Sequence, residues 1–266
     1  MHRYDVDKYI PLQDYAKYLN IRSDDIILIS SDCIRMIWDA RRHQASTDLN
    51  LLIDGLLDKL GDTGTILFPT YNWDFCRGLP FDYVNTPGMT GALGKLALKR
   101  AGFKRTKHPI YSFAVYGKHA DELCNLNNKD SFSEDSPFAF LKHNHAINLI
   151  IDVSLKNSFT FMHYVEQCSN CVDYRFIKKF RGEYIDKNGT RSQREYSMFV
   201  RKLDLDVIST IDRIEPVFLS NKVEDIINVN SSSIKRIDLF KAYEIVLDDI
   251  KFNHSRTICT YKGQPM

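Results

Sequence analysis

Hydrophobic positions along the chain alternate between short continuous runs and stretches with helical spacing. The run at residues 26–29 is typical of a buried strand, whereas the apolar residues of 49–60 recur every three or four positions. The same patterns predict strands at 65–68, 111–116 and 146–151 and helices at 90–101, 136–141 and 159–167. Strands that alternate with helices indicate an α/β fold, in which helices flank a mostly parallel central sheet.

Capping residues mark where several of these helices begin and end. Ser46, Thr47 and Asp48 are the candidate caps for the first of them, and Gly61 suits its end. Ser136 followed by Pro137 is typical of a helix start. Asp238 precedes a final helix whose apolar residues share one face.

The pattern changes in the C-terminal half of the chain. Residues 174–185 and 191–200 alternate polar and apolar positions on either side of Asn188-Gly189. Asn-Gly between two such runs is the strongest short signal for a hairpin. We therefore predict an antiparallel hairpin excursion at about 172–202.

Composition and charge indicate how many domains the chain forms and which kinds of partner it does not bind. The chain has 266 residues, 44% hydrophobic and 26% charged, with a formal net charge of +2. This length can bury a full core, so we assign residues 1–266 to a single domain. So small a net charge argues against nucleic acid as a partner. The apolar runs are far shorter than the ~20 residues of a spanning helix, which argues against a membrane.

The N-terminus and the cysteines bear on the compartment. Residues 1–7 contain no apolar signal region, and six cysteines are scattered through the chain. We therefore expect a cytoplasmic protein whose thiols are reduced. The sequence leaves open whether the protein forms a homodimer.

The segment at 160–166 carries the clearest candidate chemistry. It follows a predicted buried strand, and ligand sites of open α/β sheets lie beyond the carboxyl ends of strands. On a helix, His163 and Glu166 share one face, where the carboxylate can fix the imidazole tautomer and raise its basicity. An incidental pair on a surface helix is the alternative.

Cys168 and Cys171 form a Cys-x-x-Cys directly after this helix. With His163 they would supply three zinc ligands, but the sequence has no second Cys-x-x-Cys to complete a zinc site. A redox pair is expected at the start of a helix rather than after one. We interpret the spacing as coincidental and expect no metal.

Two other stretches are candidates for binding. Tyr71, Asn72, Trp73 and Asp74 follow a predicted strand and offer polar groups and a flat ring to a hydroxylated sugar, although a packed loop is the alternative. The chain lacks a phosphate-loop or dinucleotide fingerprint. Its densest basic stretch suits a phosphate-bearing cofactor or a solvated helix end, and comprises Lys99, Arg100, Lys104, Arg105, Lys107 and His108.

The order of these motifs resembles the aminoglycoside 3-N-acetyltransferase family across roughly residues 10 to 255. The shared motifs are Phe68-Pro69-Thr70…Trp73, Phe81-Asp82, Thr86-Pro87, Met89-x-Gly91-x-Leu93, Arg105-x-x-His108-Pro109-x-x-Ser112-Phe113-Ala114, Ser136-Pro137 and Thr160-x-x-His163-x-x-Glu166. The resemblance implies an N-acyltransferase that acylates the amino group of an amino sugar. Its co-substrate would be acetyl-CoA or another acyl-CoA, with no permanently bound cofactor.

The resemblance also implies roles for single residues. The family's catalytic histidine falls on His163, and its partner carboxylate falls on Glu166. The expected coenzyme contacts are Ser31, Asp32, Met89, Arg105, His108, Ser112 and Phe113. Two positions depart from the family, because Ser30-Ser31-Asp32 replaces the usual His-x-Ser and Asp152 replaces a glycine.

Aminolysis of a thioester needs a base for the amine proton and stabilisation of an oxyanion. His163 suits the base, since an unperturbed imidazole has a pKa of about 6.5, and Thr160 can serve the oxyanion. We predict direct transfer through a ternary complex, in which Glu166 either orients His163 or holds the acceptor amine. A nucleophilic Cys168 is the alternative mechanism.

The charge distribution bears on the acceptor. Aminoglycosides carry several positive charges, yet the region 71–90 has few acids and a basic series begins at Arg175. We therefore expect a nucleotide-linked amino-deoxy sugar of surface polysaccharide or lipopolysaccharide synthesis, with Arg175 near its phosphates. The alternatives are an aminoglycoside acetyltransferase that confers antibiotic resistance and a non-catalytic relative that binds coenzyme or sugar.

Overall fold

The computed structural model describes residues 9–261. The residues on which the expectation of no export signal rests, 1–7, lie outside this range. The α-helices are α1 Ile34–Arg42, α2 Asn50–Leu60, α3 Ala92–Ala97, α4 Ala120–Asn125, α5 Pro137–His143, α6 Leu155–Ser158, α7 Phe161–Ser169, α8 Glu215–Ser220 and α9 Leu239–Phe252. Short 3-10 helices cover Leu12–Tyr18, Phe75–Arg77, Leu203–Leu205 and Ile211–Ile214.

The strands form three sheets. They are β1 Ile26–Ser31, β2 Thr65–Pro69, β3 Phe81–Asp82, β4 Lys104–Arg105, β5 Phe113–Gly117, β6 Ile147–Ile151, β7 Arg175–Ile185, β8 Arg191–Arg201, β9 Val207–Ser209, β10 Glu224–Val229, β11 Ser232–Asp238 and β12 Cys259–Tyr261. The central sheet has the order β10-β11-β6-β1-β2-β5-β4. The other two have the orders β3-β7-β8 and β12-β9.

Parallel strands occupy the centre of the main sheet. β1 pairs in parallel with both β2 and β6. Antiparallel strands extend the sheet at both edges, β11 and β10 beyond β6 and β5 and β4 beyond β2. The expected α/β fold with flanking helices is confirmed, and its parallel part places the carboxyl ends of β1, β2 and β6 at one edge.

Hydrophobic side chains cover both faces of this sheet. In β1, Ile27 and Ile29 pack in a core with residues of α1, α2 and the N-terminal 3-10 helix. Ile26 and Leu28 point to the opposite core, which is rich in aromatic residues and includes α5, α7 and α9. Because both faces of the sheet are buried, the sequences of the central strands are continuous apolar runs.

Local signals placed most of the elements correctly. Asp48 accepts a hydrogen bond from the Asn50 backbone N–H at the start of α2, and Gly61 ends that helix at φ 58°. Ser136 caps α5 and Asp238 caps α9 through their side chains. The predicted hairpin is also confirmed, because β7 and β8 pair along their full lengths.

Two elements are shorter than the sequence predicts. The helix expected at 90–101 begins only at Ala92, because Gly91 adopts φ 63°, a conformation that a helix cannot contain. The strand expected at 111–116 begins at Phe113, because the preceding turn folds onto His108, whose Nδ1 accepts hydrogen bonds from two backbone N–H groups.

Asp152 adopts φ 53° at the carboxyl end of β6, where the family usually has glycine. Its Oδ1 accepts a hydrogen bond from the Ser233 backbone N–H at 2.9 Å, which ties β6 to β11. Local bonding of this kind lets an aspartate occupy the left-handed region. No helix within 9–261 is long and apolar enough to span a membrane.

Glu224 generates a stability prediction. Its side chain is fully buried, and Lys235 Nζ, 3.6 Å away, also pairs with Glu215. Burial raises the pKa of Glu224 to about 7. Since the carboxyl prefers its neutral form when folded, its contribution to stability is lost as pH rises from the unfolded pKa towards 7.

We expect Glu224→Gln to raise the free energy of unfolding at pH 8 by about 1–3 kcal/mol and to change it little at pH 4.5. Denaturant unfolding at both pH values measures the difference. Glu195→Gln, on β8 and half exposed beside Lys179, is the matched control and should change the free energy of unfolding little at either pH. Equal effects of Glu224→Gln at both pH values would contradict the prediction.

Candidate active site

Two clefts meet at the edge of the sheet where β1, β2 and β6 end. The wide cleft has a volume of about 980 Å³ and the narrow cleft about 310 Å³. Both are lined by the same six residues, namely Trp73, Tyr111, Asn157, Ser158, Thr160 and His163. His163 therefore lies where molecules that enter from the two clefts would come together.

His163 and Glu166 lie on one face of α7, as their spacing predicts. Nδ1 of His163 is 2.7 Å from Oε2 of Glu166. Since a carboxylate only accepts, Nδ1 carries the proton and Nε2 of a neutral ring has a free lone pair. The His163 side chain is 24% exposed and lines both clefts, whereas Glu166 is buried behind it.

Three partners surround the Glu166 carboxylate. Besides His163, the Tyr174 hydroxyl donates to Oε1 at 2.9 Å, and Arg175 Nε forms an ion pair with Oε2 at 2.7 Å without linear hydrogen-bond geometry. Because Glu166 is buried behind His163 and both of its oxygens have partners, it is better placed to orient His163 than to reach an acceptor amine. The geometry therefore supports the orienting role among the two roles that the sequence left open.

The pKa values of His163 and Glu166 both lie below their usual values, so the imidazole is neutral and the carboxylate is ionised. Burial, helped by the charge of Arg175, lowers the pKa of His163 below its usual value, although Glu166 opposes the shift. Burial alone would raise the pKa of Glu166, but His163, Arg175 and Tyr174 hold it below its usual value. A neutral imidazole beside an ionised carboxylate is the state that can accept an amine proton at neutral pH.

Thr160 precedes α7 and lines both clefts. Its backbone N–H donates to Ser158 O at 2.9 Å, and its carbonyl accepts from the His163 N–H at 3.0 Å. Thr160 has two groups that could donate to an oxyanion, its backbone N–H and its hydroxyl. Since the N–H is bonded to Ser158 O, only the hydroxyl is not engaged by the backbone.

The narrow cleft is lined by small and uncharged residues. The ends of β1 and α3 contribute Ser30, Ser31, Gly91 and Gly94. A Cβ at Gly94 would lie 2.3 Å from Pro69 O, so only glycine allows α3 to approach β2 this closely. Apart from His163, no titratable side chain other than two tyrosine phenols lines this cleft.

The wide cleft has an apolar wall and a basic rim. Alternate residues of β7 supply part of the wall, Phe176 and Phe180, with Lys178 between them. Among residues 9–261, the cleft is lined by one acid, Asp204, and by five cationic side chains, which are Lys156, Arg175, Lys178, Arg201 and Lys202.

Four of the expected coenzyme contacts lie outside the two clefts that meet at His163. Arg105, His108, Ser112 and Phe113 are buried and line neither of the two clefts. Arg105 instead donates to Thr86 O, in the loop that follows β3, and to Ser112 Oγ, directly before β5. Burial lowers the pKa of His108 to about 3, which suits its role as an acceptor of backbone hydrogen bonds.

Of the remaining three expected coenzyme residues, one lines a cleft and two do not. Ser31 lines the narrow cleft, whereas Asp32 and Met89 line neither cleft. The Asp32 side chain accepts a hydrogen bond from the Ile34 N–H at the start of α1. The Met89 side chain is exposed, and its N–H donates to Tyr71 O at 2.7 Å.

Some of the expected acceptor residues also line a cleft, and others do not. Tyr71 lines the narrow cleft and Trp73 lines both, but Asn72 and Asp74 line neither. Asn72 is buried, donates to Pro87 O and accepts from the Asp74 N–H, an arrangement that matches the packed-loop alternative. Arg175 lines the wide cleft, but its Nε is engaged by Glu166.

Sequence reasoning missed the residues that complete the site. Tyr174 and Tyr111 were given no role, and the wall formed by β7 and β8 was read only as a hairpin. The available signal was the exposure of large apolar side chains, since Phe176 is 44% and Ile208 is 51% exposed. Apolar groups grouped at a cleft are typical of ligand sites.

The cysteines show no sign of activation. Burial, with the nearby Glu134, raises the pKa of Cys168 to about 12, and its thiol donates to Phe132 O. A thiol in this state is a poor nucleophile. Within residues 9–261, no group of three or more His, Cys, Asp or Glu side chains is arranged to hold a metal ion.

The charge of Arg175 generates a prediction about His163. We expect Arg175→Met to raise the pKa of His163, because it removes a cation that disfavours the imidazolium ion. NMR titration of the His163 ring nitrogens measures the shift. Lys178→Met, which removes another cation of the wide cleft, should leave this pKa almost unchanged, and equal shifts in both variants would contradict the prediction.

Comparisons with known structures agree with this architecture. The fold is similar to that of the YokD protein from Bacillus subtilis, with 20% identity, 90% of this chain and 96% of that chain covered, and a TM-score of 0.71. It is also similar to AAC-VIa bound to sisomicin, with 17% identity, 92% and 99% coverage and a TM-score of 0.76. AAC-IIIb in its binary complex with CoASH matches with 16% identity, 92% and 98% coverage and a TM-score of 0.75.

None of the curated proteins matches the sequence. The family model described as aminoglycoside 3-N-acetyltransferase, however, matches residues 43–249, well over half of the chain. This stretch includes α7 and β7, which carry His163, Glu166 and the partners of Glu166. The chain therefore belongs to the aminoglycoside 3-N-acetyltransferase family and is an acyltransferase that uses acetyl-CoA as its co-substrate.

Proposed function

We propose that His163 is the general base for direct transfer of an acetyl group from acetyl-CoA to the amine of an amino sugar. The position of His163 at the junction of the two clefts carries this proposal. Glu166 fixes the ring so that Nδ1 is protonated, which leaves Nε2 to accept a proton. The high pKa of Cys168 argues against a covalent acyl-enzyme.

The two clefts suit different substrates. The pantetheine arm of acetyl-CoA is thin and uncharged, and the narrow cleft is uncharged and lined by Ser31, Gly91 and Gly94. The wide cleft has the volume and the exposed apolar wall for a bulky acceptor. In this arrangement both substrates are bound at once, with the thioester and the amine on either side of His163.

The step balances within a ternary complex. The amine nitrogen attacks the thioester carbonyl carbon while its proton passes to Nε2 of His163. The tetrahedral intermediate then collapses, the C–S bond breaks, and the imidazolium proton goes to the sulfur of coenzyme A. The products are the N-acetylated sugar and free coenzyme A thiol.

We expect His163→Asn to reduce turnover by ~10²-fold or more, because general-base catalysis typically contributes that much. Release of free thiol from acetyl-CoA in the presence of acceptor measures turnover. The control is Cys168→Ser, which keeps a small polar side chain and should retain turnover. Loss of activity in the control, with acetyl group trapped on the wild-type protein, would instead indicate a cysteine nucleophile.

An aminoglycoside is the acceptor class that we propose first. The family match carries this part of the proposal, since the matched model is described by that reaction. AAC-VIa, similar in fold, has been solved with sisomicin bound. Acetylation of such an antibiotic would confer resistance on the cell that contains the enzyme.

A phosphate-bearing amino sugar is the second candidate, and the charge of the wide cleft favours it. Five cationic side chains against one acid would repel a polycation and attract a nucleotide-linked sugar of polysaccharide synthesis. The charge of Arg175 is partly neutralised by Glu166, so the other four cations would carry this attraction.

A comparison of kcat/KM for a kanamycin-like aminoglycoside and a nucleotide-linked amino sugar separates these candidates. We expect turnover of the aminoglycoside with the higher kcat/KM. Salt gives a second readout, because screening the cleft should raise kcat/KM for a cation and lower it for an anion. Preference for the nucleotide sugar would replace the first candidate by the second, and no turnover with either would favour a non-catalytic relative.

A further inference from the structure

A further cavity, the tip cavity, lies where the turn of the β7–β8 hairpin approaches the edge of the central sheet. It has a volume of about 940 Å³, and none of residues 9–261 lines both this cavity and either cleft. One part of its wall comes from β4 and α4, and another comes from the hairpin turn at 186–188. Phe180 is the last residue of β7 that lines the wide cleft, whereas the tip cavity begins at Tyr184.

Positive charge predominates in the lining of the tip cavity. Of residues 9–261, two acids line it, Asp121 and Asp186, against five cations, which are Lys104, Arg105, Lys107, Lys187 and Arg194. Asp121 is paired with Lys104. Asp186 Oδ1 accepts hydrogen bonds from two backbone N–H groups of its own turn, at 2.8 and 2.9 Å. Both acids therefore have partners, and an excess of cations remains.

Three of these cations lack an acidic partner. Lys107, Lys187 and Arg194 form no ion pair with any residue from 9 to 261. Lys107 Nζ donates to Asn125 O at 2.9 Å, which leaves two of its three hydrogens for another acceptor. Burial lowers the pKa of Lys129 outside the cavity, and the charges of Arg194 and Lys107 lower it further. The positive field is therefore not neutralised by the protein itself.

Two arginines of the tip cavity are held in place before any ligand arrives. The Arg194 guanidinium lies 3.9 Å from the centroid of the Tyr184 ring, and its Nε donates to Ser192 Oγ at 2.9 Å. Arg105 is 3% exposed and donates to neutral acceptors such as Thr86 O, so its charge adds to the field without a counter-ion. Cations that are already fixed lose little further conformational entropy when they bind an anion.

The rest of the lining includes apolar and aromatic side chains. Leu98, Phe103 and Val84 contribute to it, and Val84 is 65% exposed. The Phe103 ring is held by the Tyr116 ring at 5.3 Å between centroids. Apolar groups beside cations without acidic partners suit a ligand that carries both a flat ring and phosphate groups.

We propose that the tip cavity binds a nucleotide. Its phosphates lie against Lys107, Lys187 and Arg194, because arginine offers a planar fork and lysine a point charge to phosphate oxygens. Its base lies against Phe103 and Leu98. The volume of the cavity is that of a small-molecule site. This binding is separate from acetyl transfer at His163 and does not depend on it.

Calorimetric titration with ADP tests the site, with coenzyme A present at a saturating concentration to fill its own binding site. We expect Arg194→Gln and Lys107→Gln each to weaken the binding of ADP by roughly 10-fold, since each removes a charge-assisted contact with phosphate. Thermal unfolding of each variant shows whether it is folded. No binding of ADP to the wild-type protein up to about 1 mM would overturn the proposal.

Two control variants locate the bound ADP. Arg191→Gln removes a cation from the same strand as Arg194, but Arg191 is paired with Glu183 and does not line the cavity. Lys178→Gln removes a cation of the wide cleft. Both should bind ADP like the wild type. Weaker binding in Lys178→Gln with unchanged binding in Arg194→Gln would place ADP in the wide cleft, and displacement of ADP by coenzyme A would place it in the coenzyme site; either result overturns the proposal.

Pyrophosphate tests whether the base is recognised as well as the phosphates. It should bind about tenfold more weakly than ADP, because it has no ring to contact the apolar lining. Phe103→Leu should weaken the binding of ADP by about fivefold and leave that of pyrophosphate unchanged. Equal affinities for ADP and pyrophosphate in the wild-type protein would overturn the assignment to a nucleotide.

Discussion

A buried carboxylate with three partners determines the arrangement of the catalytic site. Glu166 is almost inaccessible to solvent, and a charge in such a place is costly unless cations and donors surround it. Its partners come from the same helix, His163, and from the start of the hairpin, Tyr174 and Arg175. The need to satisfy one carboxylate therefore ties α7 to β7 and fixes the tautomer of the base.

The sheet determines where this pair acts. β1, β2 and β6 run in parallel, so their ends deliver Ser31, Tyr71 and the segment that leads into α7 to one edge. The narrow cleft lies against this rigid edge, whereas the wide cleft lies against the hairpin. His163 lies between a cleft built on the central sheet and a cleft built on a separate sheet.

Local signals predicted much of this arrangement from the sequence. Helix caps, apolar runs and Asn188-Gly189 placed the elements, and the spacing of His163 and Glu166 on a helix placed the catalytic pair. Each of these signals acts over a few residues, where the chain geometry is known in advance.

Contacts between residues distant in sequence account for the side-chain environments that the sequence did not predict. Arg105 and His108 lie in a basic stretch of sequence, but their side chains point inward, where loops distant in sequence supply acceptors such as Thr86 O. Arg175 was expected to meet phosphate, yet Glu166, nine positions earlier in the chain, engages its Nε. No local pattern shows which partner a charged side chain meets after folding.

The two-residue period of β7 has a consequence for how such an enzyme can diverge. Phe176, Lys178 and Phe180 face the wide cleft, while the residues between them do not line it. Pairing of β7 with β8 uses the backbone, so it tolerates exchange of these side chains. Evolution can therefore reshape the wide cleft by altering every second position of one ribbon, while His163 and the narrow cleft are inherited unchanged.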